Sequence, residues 1–214
     1  MDRESIRNKL NSAWTSFDTG DLEASRTLYI ECLQELSDDE HDLYTAALMG
    51  LIYVESSAGN FKKAREYANA LLNNARGNNE THIFLHQSGM VERMAGRYTE
   101  SLDFFLRERK LLLDTLSDDH AGISANFYET GYIQMNQALY TEAEQDLKHS
   151  LKAACDSGDM ECIGCAYRGL GELYAKTGIH DLSCEMYQKA IEAFAKADDL
   201  FAIKEVEHLL GQTH

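Results

Sequence analysis

Five times along this chain, side chains of the same size return at the same distances from a turn residue. The most regular copy spans 167–191. Gly178 is its turn, where a residue without a Cβ tolerates positive φ. Seven residues earlier stands Gly171, small where a second helix crosses close. Five residues later stands Ser183, also small, and nine later Tyr187, large enough to fill the gap between neighbours. Counting the same way from Gly20 gives Ala13, Ser25 and Tyr29. From Gly59 it gives Ile52, Ala64 and Ala68. From Gly96 it gives Gly89, Ser101 and Phe105, and from Ala138 it gives Gly131, Ala143 and Leu147. Two residues past each turn come Leu22, Phe61, Tyr98, Tyr140 and His180. Only Ile52 and Ala68 break the size pattern. The turns lie 39, 37, 42 and 40 residues apart, so the repeating unit is one helical hairpin of about 40 residues.

The stretch from Tyr167 through Leu170, Gly171 and Tyr174 to Ser183 and Tyr187 resembles the tetratricopeptide repeat (TPR). Ser183 stands where that family usually has Ala, and the family's closing Pro is absent. The long unit is similar to long-helix arrays of the kinesin light chain, LGN and Rap types. The resemblance implies an all-α, right-handed TPR superhelix, an α-solenoid of five helix pairs with a C-terminal capping helix.

Read in order, the chain is one solenoid domain over 1–214. Its repeats cover about 2–37, 42–76, 80–116, 120–155 and 159–197, with a cap over 199–211. The connectors at 37–41, 77–81, 117–120 and 156–159 carry Asn or Asp at a helix start, as does 197–199, which suits N-capping and the helix dipole. In the cap, Leu200, Ile203, Val206, Leu209 and Leu210 form one stripe, with Lys204, Glu205, Glu207 and His208 opposite. Prolines number zero, which fits short connections between helices.

Charge narrows the partners. Against 36 Asp and Glu stand 20 Lys and Arg, a net −16, so nucleic acid is not an expected partner. No run of about 18 apolar residues occurs, and the first ten residues carry no secretory signal. Five cysteines without a paired framework point to free thiols in a reducing cytoplasm.

Reactive chemistry finds little support. Cys162 and Cys165, with Cys155 nearby, form a single thiol pair inside a helix, whereas a structural zinc site needs four ligands. No catalytic motif, P-loop or dinucleotide fingerprint occurs, and the glycines are accounted for by the repeat. The expectation is therefore a non-enzyme with no cofactor and no metal.

What remains is a surface. In TPR arrays the first helix of each pair lines the concave face, so the resemblance implies three inward columns. Ten residues before the turn stand Leu10, Met49, His86, Tyr128 and Arg168. Six before it stand Trp14, Tyr53, Met90, Tyr132 and Glu172. Three before it stand Phe17, Ser56, Arg93, Met135 and Ala175. Rings and methionines gathered on one face mark an interface, though the same rings could instead pack between repeats. The Lys/Asn/Lys/Arg set of TPR co-chaperones is missing: Leu10, Trp14, Gly50, His86 and Met94 stand there. The expected function is a protein-interaction module holding a peptide or helical segment of a partner. Its site is Trp14, Met49, Tyr53, His86, Met90, Arg93, Tyr128, Tyr132 and Arg168, with Arg93 and Arg168 orienting an acidic group. The alternatives are a scaffold that pairs with a second copy of itself and a peptide-sensing regulator of the Rap type.

Overall fold

The computed structural model describes residues 3–36 and 40–213. Among these the chain is all helical. Five hairpins follow in order: α1 (Arg3–Asp18) with α2 (Leu22–Glu35), α3 (His41–Ser57) with α4 (Phe61–Asn74), α5 (Asn78–Met94) with α6 (Tyr98–Thr115), α7 (His120–Asn136) with α8 (Tyr140–Ser157), and α9 (Met160–Lys176) with α10 (His180–Lys196). Helix α11 (Leu200–Gly211) closes the series. The helices gather into two compact units, 3–104 and 105–213, each taken by itself below.

One turn closes all five hairpins. Gly20, Gly59, Gly96 and Gly178 take φ between +72° and +84°, and Ala138 takes +60° in the same place. In each, the next residue's N–H donates to the carbonyl four residues before the turn: Asp21 to Ser16, Asn60 to Glu55, Arg97 to Glu92, Leu139 to Gln134 and Ile179 to Tyr174, at 2.7–2.9 Å. This wide bond satisfies a carbonyl that the ended helix leaves open.

All three size columns are buried. A Cβ on Gly171 would lie 2.6 Å from the Tyr187 ring, and one on Gly131 would lie 2.9 Å from Leu147. The small residue is therefore the seat of the large one. The two breaks in the pattern fall in one repeat and offset each other: Ile52 and Ala68 are both buried in the unit 1 core, with the bulk on the first helix instead of the second. Ser183 also has a reason. Its hydroxyl donates to the Gly171 carbonyl at 2.8 Å, as Ser101 does to Gly89 at 2.7 Å.

Helix starts depart from the sequence expectation in places. Asp119, Asp159 and Asp199 cap through their side chains. The connector at 77–81 does not. Asn78 is already helical, Gly77 precedes it at φ +84°, and Glu80 reaches back to the Arg76 N–H at 2.6 Å. Residues 37–39 of the first connector lie outside the described residues, and Glu40 before α3 makes no side-chain cap. Helix α8 runs to Ser157, beyond the expected 155, because Gly158 takes the left-handed conformation that ends it.

The unit 1 core runs through α1 to α5, from Ile6 and Ala13 to Phe84 and Val91. Unit 2 has one cluster around Met135, Leu147 and Leu170, and another around Tyr187, Phe194 and Val206. Ala202 and Val206 of α11 complete the second of these, so α11 covers the flank of the last pair.

Candidate partner-binding face

In unit 1 the first helices α1 and α3 bring three rings together. Trp14 meets Tyr53 edge-on, with centroids 5.9 Å apart, and Phe17 lies 5.4 Å from Trp14 and 6.3 Å from Tyr53. Trp14 remains 44% exposed and Tyr53 36%. Ile6, Ala13, Leu48 and Leu51 of the same two helices are buried, so exposure of the two largest side chains is a departure from ordinary packing. Between them is a cleft of about 290 Å³ lined by Trp14, Met49, Tyr53, Asn11 and Ala46. Its floor is Tyr29 from α2. Gly50 makes that possible, since a Cβ there would lie 2.1 Å from the Tyr29 ring. The lining carries no charged side chain.

Helix α5 contributes the half-buried His86, Met90 and Arg93, and Arg93 Nη2 donates to the Met90 sulfur at 3.7 Å. Leu10 does both: it packs into the core with Ile6 and Ala13 of its stripe on α1, and it also lines the cleft.

Unit 2 arranges its members differently. Tyr128 and Tyr132 on α7 are partly buried against the Met135–Leu147 cluster. Tyr128 rests on Gly169, where a Cβ would lie 2.9 Å from its ring. Arg168 donates from Nη2 to the Tyr128 hydroxyl at 3.0 Å and from Nη1 to Glu205 at 3.3 Å, and Glu172 stands 3.7 Å from its Nε. Arg168 therefore already holds two carboxylates and a phenol within the chain. Burial pushes the Glu172 carboxyl up, Arg168 and Lys176 oppose this, and Glu205 adds to it. Met135, expected on the inward face, is 2% exposed and belongs to the core. Ser56 of the same column is buried too, while Phe17, Arg93 and Ala175 are half-buried.

Sequence reading missed an ionic ladder between repeats. Arg26 Nε donates to Glu55 at 2.7 Å, and Arg65 Nε donates to Glu92 at 2.9 Å. Both pairs join the position six after one turn to the position four before the next. The same two positions in the fourth and fifth repeats hold Glu144 and Tyr174, with the phenol donating at 2.8 Å. Burial raises the pKa of Glu55 and Glu92, but the guanidinium bonds outweigh it and hold both below the usual carboxylate range. The signal was available: Arg and Glu recur in the same register as the small and large columns. A second network was not legible. Arg109 lies 3.8 Å over the Phe127 ring and donates to Asn126, Thr130 and Asp146, while Asn126 donates to Glu108 and to the Phe105 carbonyl. Its members share no repeat column.

Cys162 and Cys165 sit in surroundings unsuited to thiolate chemistry. Burial, then Asp159, pushes Cys162 up to about 11, and burial also raises Cys165. Among the described residues no three His, Cys, Asp or Glu are grouped to hold a metal, and no helix is long and apolar enough to cross a membrane.

Hairpins of this length, closed by one repeated turn, define an all-α repeat scaffold. No family model matches the sequence, and no curated protein does. Solved structures do resemble it. One is TTC0263, a thermophilic TPR protein of Thermus thermophilus, at 19% identity over 97% of this chain and 98% of that one, with a TM-score of 0.68. A kinesin light chain-type protein of Podospora anserina, with nearly identical TPR-like repeats, matches at 15% identity over 90% and 96%, with a TM-score of 0.64. BtubC (BKLC) of P. vanneervenii matches at 13% identity over 97% and 90%, with a TM-score of 0.63. At these identities the likeness is one of fold, and the chain is a TPR-like repeat protein.

Proposed function

We propose that this chain is a non-catalytic protein-interaction module that seats an apolar side chain of a partner peptide or helix in the unit 1 cleft. The observation that carries this reading is the exposure of Trp14 and Tyr53 beside Met49, over a floor that Gly50 keeps open. Solvent-facing rings around an uncharged cleft match the makeup of interface hot spots. His86, Met90 and Arg93 extend the same face along α5. In unit 2, taken by itself, Tyr128 and Tyr132 offer their ring edges as a contact surface of its own, with Arg168 bonded to the Tyr128 hydroxyl beside them. The five free cysteines fit a reducing, cytoplasmic setting.

Peptides selected from a random display library on the whole chain test the reading. Selected peptides should carry a bulky apolar anchor and bind Trp14→Ala/Tyr53→Ala at least ten-fold more weakly, about 1.4 kcal/mol. No enrichment, or equal binding to the double variant, contradicts it.

Self-association is the second reading, favoured by Leu200 and Phe201, which stand 71% and 73% exposed at the start of α11. Light scattering across a concentration series, with Phe201→Ser as control, separates the two.

A further inference from the structure

The apolar cleft beside Trp14 has a polar atom at its floor. Tyr29 enters from α2, is only 3% exposed, and lines the cleft from below. Gly50 meets the far end of its ring. A Cβ there would lie 2.1 Å from Cζ, the carbon that bears the hydroxyl, and 2.4 and 2.5 Å from the two Cε atoms. The ring therefore passes tip-first under Gly50, which aims its hydroxyl into the space between α1 and α3.

Two other inward-packed phenols of the chain are bonded. The Tyr128 hydroxyl accepts from Arg168 at 3.0 Å, and the Tyr174 hydroxyl donates to Glu144 at 2.8 Å. The Tyr29 hydroxyl makes no hydrogen bond among the described residues. Burial pushes it up to about 12, and Cys32 and Asp18 add to the rise. It therefore keeps its proton at neutral pH and can donate it.

An occupant of this cleft must satisfy two demands. The walls of Trp14, Met49, Leu10 and Tyr53 call for an apolar body, and about 290 Å³ has room for one ring. The floor calls for a bond, because the occupant takes the place of water at the Tyr29 hydroxyl. A leucine or phenylalanine would leave that buried donor unmet, which costs affinity. A lysine, glutamate or phosphotyrosine would bring a charge into a lining that has none to pair with it. Tyrosine meets both demands, with an apolar ring and a neutral hydroxyl at its far end. We propose that the cleft takes a tyrosine side chain of the partner end-on, its hydroxyl bonded to that of Tyr29, and that Tyr29 sets the preference for tyrosine over phenylalanine. Phosphorylation of the partner tyrosine then closes the cleft to it. This inference rests on the reading of the Trp14–Tyr53 face as the binding face, and narrows its anchor to one residue type.

The test uses two display libraries with random flanks, one around a fixed tyrosine and one around a fixed phenylalanine, selected on the whole chain. The tyrosine library should enrich. Replacing the anchor of a selected peptide by phenylalanine should weaken binding about ten-fold. A phosphotyrosine anchor should weaken it at least as much. Tyr29→Phe keeps the ring and removes only an unbonded hydroxyl, so its melting temperature should be kept or raised. In that variant the tyrosine and phenylalanine peptides should bind within about two-fold of each other. A tyrosine preference that survives Tyr29→Phe overturns the inference, as does a phosphotyrosine peptide that binds as tightly as the unmodified one. Enrichment of phenylalanine anchors with no preference for tyrosine, but with the loss in Trp14→Ala/Tyr53→Ala, overturns this inference and leaves the interaction reading standing. No enrichment from either library overturns both.

Discussion

Ala138 does the work of a glycine. It takes φ +60° in a turn where the other four hairpins use Gly, and its Cβ makes that conformation cost roughly 1 kcal/mol. Ala138→Gly should therefore raise stability by about that amount, read as a higher denaturation midpoint by circular dichroism. A lower midpoint would refute the claim that this position is strained. The buried serines form a second contrast. Ser183 donates to the Gly171 carbonyl, whereas the Ser25 hydroxyl is buried with no partner among the described residues. Ser183→Ala should cost about 1 kcal/mol and Ser25→Ala should be neutral or stabilising, since an unmet hydroxyl is a burden and a bonded one is not. Equal effects from the two substitutions would contradict this. At this scale the sequence was a good guide wherever size alone mattered. Ala13, Gly131 and Gly171 could be read as seats because the partner side chain recurs nine residues after the turn. It was a poor guide where two residues trade roles, as Ile52 and Ala68 do, because a column read one position at a time shows two faults instead of one exchange.

At the scale of elements, adjacent repeats are joined by the Arg26–Glu55 and Arg65–Glu92 pairs, whose carboxylates are buried. Removing one partner strands a buried charge, so Arg26→Met should cost about 3 kcal/mol. The pairs also set an acid dependence. Both carboxyls titrate lower in the folded chain than in the unfolded one, so their stabilisation is complete above the unfolded glutamate value, about 4.3, and is lost as pH falls through the folded values. The denaturation midpoint should fall below about pH 4.3, and Glu55→Gln/Glu92→Gln should flatten that fall; an unchanged slope would show that other groups carry it. Helix boundaries were legible from the sequence to within a few residues, because turns and size columns are local. The inter-repeat ladder joins positions about 30 residues apart, and only alignment of one repeat on the next exposes it. The Arg109 network lies outside any column and needed the fold.

For the molecule as a whole, a repeat array divides its residues between those that stack neighbours and those left for others. Met135 was expected in the second group and belongs to the first, Leu10 serves both, and Arg168 is held by Glu172 and Glu205. The inward columns identify which helix face to inspect but not how far each side chain sinks, because depth depends on what the neighbouring repeat supplies. Trp14 and Tyr53 stay exposed because Tyr29 beneath Gly50 already fills the layer below. Trp14 is the chain's single tryptophan, so its emission reports on this cleft alone. The most direct measurement is that emission during titration with a display-selected peptide, in the native chain and in Tyr53→Ala. A saturable blue shift, at least ten-fold weaker in Tyr53→Ala, is the predicted result. Saturable binding that leaves the Trp14 emission unmoved, or an equal affinity in the variant, would contradict the assignment of this face.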